Sequence, residues 1–336
     1  MERILIIGAN GQIGSELAGA LAARHGAANV IASDIGAANA CQRAQSLYVQ
    51  LDVLDKARLA QLVADEAVTQ VYQLAALLSA TGEQAPLKAW TLNMDGLLNI
   101  LEVARERGAA GTPLRVFWPS SIAAFGPNTP GANTPQFTTM DPTTIYGISK
   151  LAGERLCEYY FTRYGVDVRS IRYPGIISFK SPPGGGTTDY AIAIFYAALR
   201  GQPYACFLDA ETTLPMIYMP DAIRATIELM AAPAGNIAIR SSYNVAGMSF
   251  NPRQLAQAIQ RTVPGFEIHY TADSRQAIAA TWPHSLDDSV ARADWGWKAQ
   301  IGIEAMVADM LDNVDVDVDV DVDVDVSVGV VSGQAA

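Results

Sequence analysis

The sequence predicts an α/β protein whose doubly wound parallel sheet carries a smaller carboxyl-terminal lobe for substrate. Two observations lead to this fold class. A short β-branched run, Arg3–Ile7, leads directly into the glycine-rich segment Gly8–Gly14. Apolar, strand-like runs then alternate with helix-like segments as far as Ile171. Because alternating strands and helices build parallel sheets, we expect a ligand to lie across the carboxyl ends of the strands.

The glycine segment has the spacing G-x-x-G-x-x-G, between a buried strand and the first helix. Glycines at such a turn let the backbone approach a pyrophosphate closely. The amides at the start of the helix also point toward the anion. We therefore expect the segment to hold a dinucleotide through Gly8, Asn10, Gly11, Gln12, Ile13 and Gly14.

A carboxylate ends the second strand. Asp34 follows the run Asn29–Ser33 and lies twenty residues after Gly14. At this place a carboxylate accepts hydrogen bonds from the adenosine ribose and repels a 2′-phosphate. No arginine follows Asp34 directly, so the pattern favours NAD over NADP in a Rossmann-type domain.

Two later strands end in residues suited to the same cofactor. The run Leu47–Leu51 is followed by Asp52 and Val53, where an acid can reach an adenine amino group. A helix is predicted from about Lys56 to Asp65. The strand Gln70–Leu74 then leads to Ala75 and Ala76, which are small enough for a cofactor to lie against the backbone.

Tyr146 and Lys150 are four residues apart, which places both on one face of a helix. A free tyrosine has a pKa of about 10, and a nearby ammonium lowers it toward the range of a useful base. Ser121 follows the strand Arg115–Trp118 and can hydrogen-bond a substrate oxygen. The three residues form a predicted proton-transfer set. Each taken alone has a structural alternative, a solvated helix face for the pair and a turn for the serine.

Composition sets limits on the class of protein. With 336 residues and 50% hydrophobic content, the chain can bury a large core in one domain or two lobes. No run of about 18 apolar residues predicts a membrane span, and the start has no leader-like region. The few cysteines and histidines lack metal-ligand spacing, so we expect no metal and a cytoplasmic location with reduced thiols. They are Cys41, Cys157, Cys206, His25, His269 and His284. No basic patch predicts nucleic-acid binding.

The chain divides into three predicted parts. Residues 1–174 form the cofactor domain, which also receives later returning segments, and residues 175–313 form mainly the substrate lobe. From Asp315 to Asp325, six aspartates alternate with valines and supply much of the formal charge of −11. We expect residues 314–336 to be a low-complexity tail, mostly disordered and without function.

These motifs together resemble the extended short-chain dehydrogenase/reductase superfamily, in its epimerase-like branch. The resemblance rests on the glycine turn, Asp34, and Ser121 standing 25 residues before the Tyr146-x-x-x-Lys150 pair. It covers about residues 1–313. Within that branch, five segments resemble the NAD-dependent L-threonine 3-dehydrogenases: Leu77–Glu83, Arg172–Ile176, Pro183–Tyr190, Leu214–Met219 and Trp282–Pro283.

The resemblance implies an activity, oxidation of the threonine β-hydroxyl to 2-amino-3-oxobutyrate. In it Tyr146 acts as base, Ser121 orients the oxygen, and Lys150 lowers the tyrosine pKa and contacts the nicotinamide ribose. Asn93 supports a relay water or, equally, is a solvent-facing polar position. Further cofactor contacts are implied for Leu74, Tyr173 and Ile176. Substrate contacts are implied for Ser79, Gly185, Thr187, Thr188 and Trp282.

The loop Gly184–Thr188 can offer backbone amides and two hydroxyls to a substrate carboxylate, or it is a flexible connector. Leu214 stands where nucleotide-sugar enzymes of the superfamily typically carry an arginine for the substrate pyrophosphate. A leucine cannot neutralise a diphosphate, which favours a small substrate. Other small β-hydroxy acids, such as serine or 3-hydroxybutyrate analogues, stay open.

Two other functions are considered, a nucleotide-sugar epimerase or dehydratase with tightly held NAD, and a non-catalytic NAD-sensing protein. The intact Ser121, Tyr146 and Lys150 argue against the second. The resemblance also implies a homodimer through helices near Asp95–Arg107 and Ile148–Tyr164. Apolar side chains on the second helix support it: Leu151, Leu156, Tyr159 and Tyr160.

Overall fold

The computed structural model describes residues 2–38 and 46–317. In this part of the chain, the central sheet has seven parallel strands in the order β10-β6-β5-β4-β1-β2-β3. These are β1 (Ile4–Ile7), β2 (Val30–Asp34), β3 (Leu47–Gln50), β4 (Gln70–Gln73), β5 (Arg115–Ser121), β6 (Val168–Tyr173) and β10 (Tyr243–Asn244). The doubly wound parallel sheet predicted from the sequence is confirmed.

Helices cover both faces of this sheet. They are α1 (Gln12–His25), α2 (Lys56–Asp65), α3 (Ser79–Gln84), α4 (Pro86–Trp90), α5 (Gly96–Ala109), α6 (Ile145–Tyr164) and α8 (Met219–Ala231). Strand β1 shows why two layers form, because its side chains alternate between faces. Ile4 and Ile6 pack with Leu17 of α1 on one face. Leu5 and Ile7 pack with helices α2 and α5 on the other.

The remaining elements form a second layer of structure beyond β6. Its strands are β7 (Gly175–Ile177), β8 (Tyr204–Cys206), β9 (Leu214–Tyr218), β11 (Met248–Phe250) and β12 (Ile268–Tyr270). Its helices are α7 (Tyr190–Leu199), α9 (Pro252–Gln260), α10 (Ser274–Ala279), α11 (Ser289–Trp295) and α12 (Ile303–Asn313). Most of these elements pack around a separate apolar cluster in which α7 is almost wholly buried.

Residues beyond 174 contribute to both layers. Strand β10 returns to the central sheet, where Tyr243 pairs with Ile171 of β6. Helix α8 packs against α1 on the sheet. The division at residue 174 therefore stays a prediction about organisation, with the returning segments lying beside β6.

The structure refines several predicted elements. Strand β5 runs three residues past Trp118 and ends at Ser121. The helical segment that carries Asn93 is interrupted by a wider helical turn, Thr91–Asp95, between α4 and α5. Helix α2 has the predicted bounds, Lys56–Asp65, because Asp55 caps it by accepting a hydrogen bond from the Arg58 amide at 2.9 Å.

In residues 2–38 and 46–317, no helix is both long and apolar enough to cross a membrane. Cys157 and Cys206 are buried free thiols there, and Cys41 lies outside the described residues. The predicted tail also lies outside them from residue 318 onward. Of its first residues, Val314 is buried beneath the end of α12, in the apolar cluster of the second layer.

Candidate active site

A cavity opens where the carboxyl ends of the central strands meet the second layer. One wall is the glycine turn, with Gly8, Gly11, Gln12, Ile13 and Gly14. The opposite wall holds Ser79, Ser121, Tyr146, Lys150, Tyr173, Ile176, Thr187, Thr188 and Trp282. The structure thus brings predicted cofactor, catalytic and substrate residues to one cavity.

The glycine turn is shaped for close approach. Gly8 has a φ of +85°, which favours glycine, and a Cβ there would lie 2.6 Å from the Ala75 amide nitrogen. A Cβ on Gly11 would meet protein only at the Gly8 carbonyl oxygen, 3.4 Å away, so this face is open to the cavity. Helix α1 begins just after, with Gly11 at its N-cap. This cradle fits the pyrophosphate of a dinucleotide.

Asp34 stands at the end of β2 beside the turn. Its carboxylate accepts hydrogen bonds from the backbone amides of Asn10, at 3.0 Å, and Gly36, at 3.2 Å. Both bonds fix the carboxylate at the edge of a second cavity. The arrangement fits hydrogen bonding to a ribose and opposes a 2′-phosphate.

The second cavity adjoins the first at the glycine turn. Its lining includes predicted cofactor residues Asp34, Asp52, Val53, Leu74, Ala75 and Ala76. Gly8, Gly11, Leu74 and Ala76 line both cavities. Asp52 Oδ1 accepts the Leu54 amide at 2.9 Å, which orients the carboxylate at the cavity wall.

Tyr146 and Ser121 meet because α6 starts against the short helix that follows β5. Ser121 caps that helix, Ile122–Ala124, by accepting the Ala123 amide at 3.1 Å. Its hydroxyl proton is then free for another acceptor, and the Ser121 hydroxyl lies close enough to the Tyr146 phenol to lower its pKa. Gly147 permits the approach, since a Cβ there would lie 2.1 Å from the Ala123 carbonyl oxygen.

Lys150 lies beneath this pair. Its Nζ donates to the Pro119 carbonyl oxygen at 2.6 Å and lies 4.6 Å from the centre of the Trp118 ring. The same nitrogen is 5.4 Å from the centre of the Tyr146 ring. An ammonium at these distances interacts favourably with both rings.

Burial governs the ionisation of both groups. It raises the pKa of Tyr146 to about 12, against the opposing effect of the Ser121 hydrogen bond. It also lowers the pKa of Lys150 to about 7, because an ammonium is costly away from water. In this structure the phenol is therefore protonated at pH 7. A phenol in this setting ionises near neutral pH only when positive charge is close enough to favour the phenolate.

The cavity wall formed by Ser79, Thr187 and Thr188 presents hydroxyls. Thr187 is 1% exposed, and its Oγ1 has no hydrogen-bond partner among the described residues. Ser79 is also buried at the cavity wall, at the start of α3. An unpaired buried hydroxyl costs free energy unless a ligand completes it, so Thr187 fits a polar ligand group.

Three predicted site residues lie outside the two cavity linings. Asn10 directs its amide to the Ala37 carbonyl and the Tyr48 hydroxyl. Asn93 is buried rather than solvent-facing, and its side chain exchanges hydrogen bonds of 2.8 and 3.1 Å with the Leu77 backbone. Gly185 is not on the wall, where its neighbour Gly186 takes part instead.

Sequence reasoning missed Asp189. This carboxylate lies on the cavity wall and folds the glycine loop, because Oδ2 accepts the amides of Gly184, at 2.6 Å, and Gly186, at 2.8 Å. Burial raises its pKa, and these amides oppose the shift. An acid directly after the Gly-Gly-Gly-Thr-Thr run was the available signal.

Comparisons with known proteins agree with this geometry. Residues 4–246 match the family described as the NAD dependent epimerase/dehydratase family. An uncharacterized epimerase/dehydratase of Staphylococcus saprophyticus is 47% identical over 317 residues, which cover 94% of this chain and 98% of that protein.

Two solved structures extend the comparison. The holo form of a GalE-like L-threonine dehydrogenase from Cupriavidus necator is 62% identical, with a TM-score of 0.90, over 93% of this chain and 100% of that chain. A monomeric L-threonine 3-dehydrogenase from a metagenome is 42% identical, with a TM-score of 0.88, over 93% of this chain and 98% of that chain.

Proposed function

The chain belongs to the NAD dependent epimerase/dehydratase family, and from that premise we propose that it is an NAD-dependent L-threonine 3-dehydrogenase. NAD is its cofactor, and the glycine turn and Asp34 fit that dinucleotide. The observation that carries the proposal is the cluster of Tyr146, Ser121 and Lys150 in the same cavity as the turn. The names of the two similar solved structures support threonine as substrate.

The proposed chemistry is oxidation of a secondary alcohol. When bound, NAD accepts the hydride from the substrate β-carbon. Tyr146 removes the β-hydroxyl proton, and the Ser121 hydroxyl donates a hydrogen bond to the oxygen as it becomes a carbonyl. The Lys150 ammonium favours the phenolate and offers a donor toward the nicotinamide ribose. The products are 2-amino-3-oxobutyrate, NADH and a proton.

The amino acid needs partners for its carboxylate. We propose that the hydroxyls of Ser79, Thr187 and Thr188 supply them, with Trp282 closing the apolar side of the cavity. The unpaired Thr187 Oγ1 supports this assignment. The role of Gly185 stays a prediction, because it lies off the cavity wall.

Nucleotide-sugar epimerisation is the alternative activity. Leu214 is fully buried at the start of β9, so it offers no charge to a substrate diphosphate. No arginine lines either cavity within residues 2–38 and 46–317. A small substrate therefore fits the site better than a nucleotide sugar.

We also propose a homodimer, formed through the helices α5 and α6. Ile148 and Tyr159 of α6 are 42% and 51% exposed, so this helix offers apolar surface to a partner. Tyr160 does not contribute, because it is buried and its hydroxyl donates to Glu102 at 2.7 Å. The cytoplasmic location stays a prediction from the sequence.

The test is NADH formation from L-threonine, read at the NADH absorbance band with the full-length protein. We expect turnover with threonine and none with a nucleotide sugar. Tyr146→Phe should lower kcat by roughly 100-fold or more, because it removes the general base. Tyr270→Phe, a partly exposed tyrosine of β12, is the matched control. Absence of NADH with millimolar threonine would refute the proposal.

A further inference from the structure

Helix α6 carries a third buried polar side chain in line with Tyr146 and Lys150. Glu154 follows Lys150 by four residues, so the three lie on one face, each a helical turn apart. The first two contact the end of β5, Tyr146 through Ser121 and Lys150 through the Pro119 carbonyl.

Glu154 contacts Ser120, which lies between Pro119 and Ser121 at the end of β5. The Ser120 hydroxyl donates to Glu154 Oε1 at 2.6 Å, and the carboxylate is fully buried. Because Ser120 directly precedes Ser121, this bond fixes the backbone from which Ser121 projects. Pro119 and Ser120 are thus hydrogen-bonded to Lys150 and Glu154 of one helix face, and Ser121 faces Tyr146 of the same helix.

The carboxylate is itself held from the neighbouring strand. Arg172 of β6 donates from Nε to Oε1 at 2.9 Å and from Nη2 to Oε2 at 2.8 Å. Its Nη1 donates to the Gln136 carbonyl at 3.0 Å and to Asn244 Oδ1 at 2.9 Å. Such a fork fixes orientation as well as distance. A buried ion pair often adds little to the stability of the fold. Here its geometry instead holds Glu154 against Ser120 at the end of β5.

We propose that Glu154 is a positioning residue of the site: it fixes the strand end that carries Ser121 and places a buried negative charge one helical turn from the Lys150 ammonium. This inference rests on the proposed function. It deepens that function by naming what holds the three reacting groups together.

The charges around Lys150 support the second half of this role. The groups that act on its ammonium are Cys157 and Glu154, both of which favour the charged form. Burial raises the pKa of the Cys157 thiol far above its usual range, so the thiol is neutral near pH 7. Tyr146 is protonated in the same range. Glu154 is then the group that offsets part of the burial cost of Lys150, while Arg172 pairs with Glu154.

The mildest test removes one hydrogen bond. Ser120→Ala should lower kcat for threonine about tenfold, with the NAD dissociation constant unchanged, because a small displacement of Ser121 affects the transition state most. Ser170→Ala is the matched control. This buried serine of β6 forms a 2.9 Å hydrogen bond with Ser242 and has no bond to Tyr146, Lys150 or Ser121 among the described residues. An unchanged kcat in Ser120→Ala would overturn the positioning role.

A second variant removes the ion pair without stranding a charge. In Glu154→Leu/Arg172→Met, apolar side chains of similar size replace both partners, which proteins often tolerate. We expect a kcat loss of at least about tenfold with retained NAD binding. Wild-type kcat in the folded double variant would contradict the proposal.

The same double variant gives a readout that is independent of activity. The chain has five lysines, so the 13Cε resonance of Lys150 can be assigned with Lys150→Arg and titrated by NMR. Loss of Glu154 should move the Lys150 midpoint to lower pH, and an unmoved midpoint would overturn the electrostatic role. If wild type fails to oxidise threonine, the proposed function fails, and this titration still decides the inference.

Discussion

Lys150 is held where its charge is costly. It lies 3% exposed between the Trp118 ring and the Pro119 carbonyl, and burial lowers its pKa to about 7. In the unfolded chain a lysine has a pKa of about 10.4. Between these values the unfolded chain binds more protons, so this residue makes stability rise as pH increases from 7 to about 10.

Replacing Lys150 by an apolar residue should raise the free energy of unfolding and abolish activity. At pH 7, the free energy of unfolding of Lys150→Met should exceed that of wild type by up to roughly 4 kcal/mol, as measured by urea denaturation. The variant should also lose turnover. The stability difference should shrink toward pH 10. Exposed Lys298 provides the control Lys298→Met. A difference that stays constant with pH would show that charge burial is not its cause.

The buried Thr187 hydroxyl has no hydrogen-bond partner among the described residues. Thr187→Val keeps the shape and removes the unpaired Oγ1, so it should raise KM for threonine about tenfold or more while NAD affinity stays constant. Steady-state kinetics and a fluorescence titration with NAD measure the two effects. Thr281→Val, whose hydroxyl bonds the Ile278 carbonyl at 2.7 Å, is the matched control. An unchanged KM would remove Thr187 from the proposed carboxylate site.

At the scale of elements, the site depends on how closely α6 approaches the end of β5. Thr144 caps the helix by accepting the Gly147 amide at 3.1 Å, and Gly147 itself rests on the Ala123 carbonyl. The distance between Tyr146 and Ser121 therefore depends on a glycine that carries no reacting group.

Gly147→Ala should separate those two elements. The added Cβ meets backbone atoms, so we expect a loss of about 1–3 kcal/mol in unfolding free energy together with a large fall in kcat. Gly108→Ala is the control, because a Cβ there meets nothing within 4 Å. Thermal unfolding and threonine kinetics measure both effects. Wild-type kcat in Gly147→Ala would show that the approach is not critical.

The local signals in the sequence predicted most elements and much of the site. The Asp55 cap defines α2, and the glycine turn lies where the run Arg3–Ile7 indicated. Partners distant in sequence were beyond such signals. Asn93 reads as a helical position, yet its side chain bonds the Leu77 backbone. Tyr160 reads as surface, yet Glu102 covers its hydroxyl.

Glu154 illustrates the same limit. Its spacing from Lys150 is visible in the sequence, but a glutamate on a helix is ordinarily solvated. Glu154 of α6 is buried because it bonds Arg172 of strand β6 and Ser120 of strand β5. Such three-way contacts require the fold.

For the whole molecule, the exposed apolar side of α6 predicts association. Light scattering at micromolar concentration should give a dimer. Ile148→Glu, at a 42% exposed position, should convert it to a monomer because a charge would be buried at the interface. Leu47→Glu, at an exposed leucine of the edge strand β3, should leave the dimer intact. A wild-type monomer would refute the dimer and match the monomeric protein from a metagenome.

The central sheet is completed by its shortest strand, Tyr243–Asn244, which pairs beside β6. Asn244 also accepts a hydrogen bond from Arg172, so the support beneath Ser121 extends to this strand. During synthesis on the ribosome, the first six strands of the sheet emerge well before their last neighbour. More than two thirds of the chain must therefore be synthesised before Asn244 is present and Arg172 has all its partners. The order of synthesis therefore makes the strand end that carries Ser121 one of the last parts of this sheet to gain its full support.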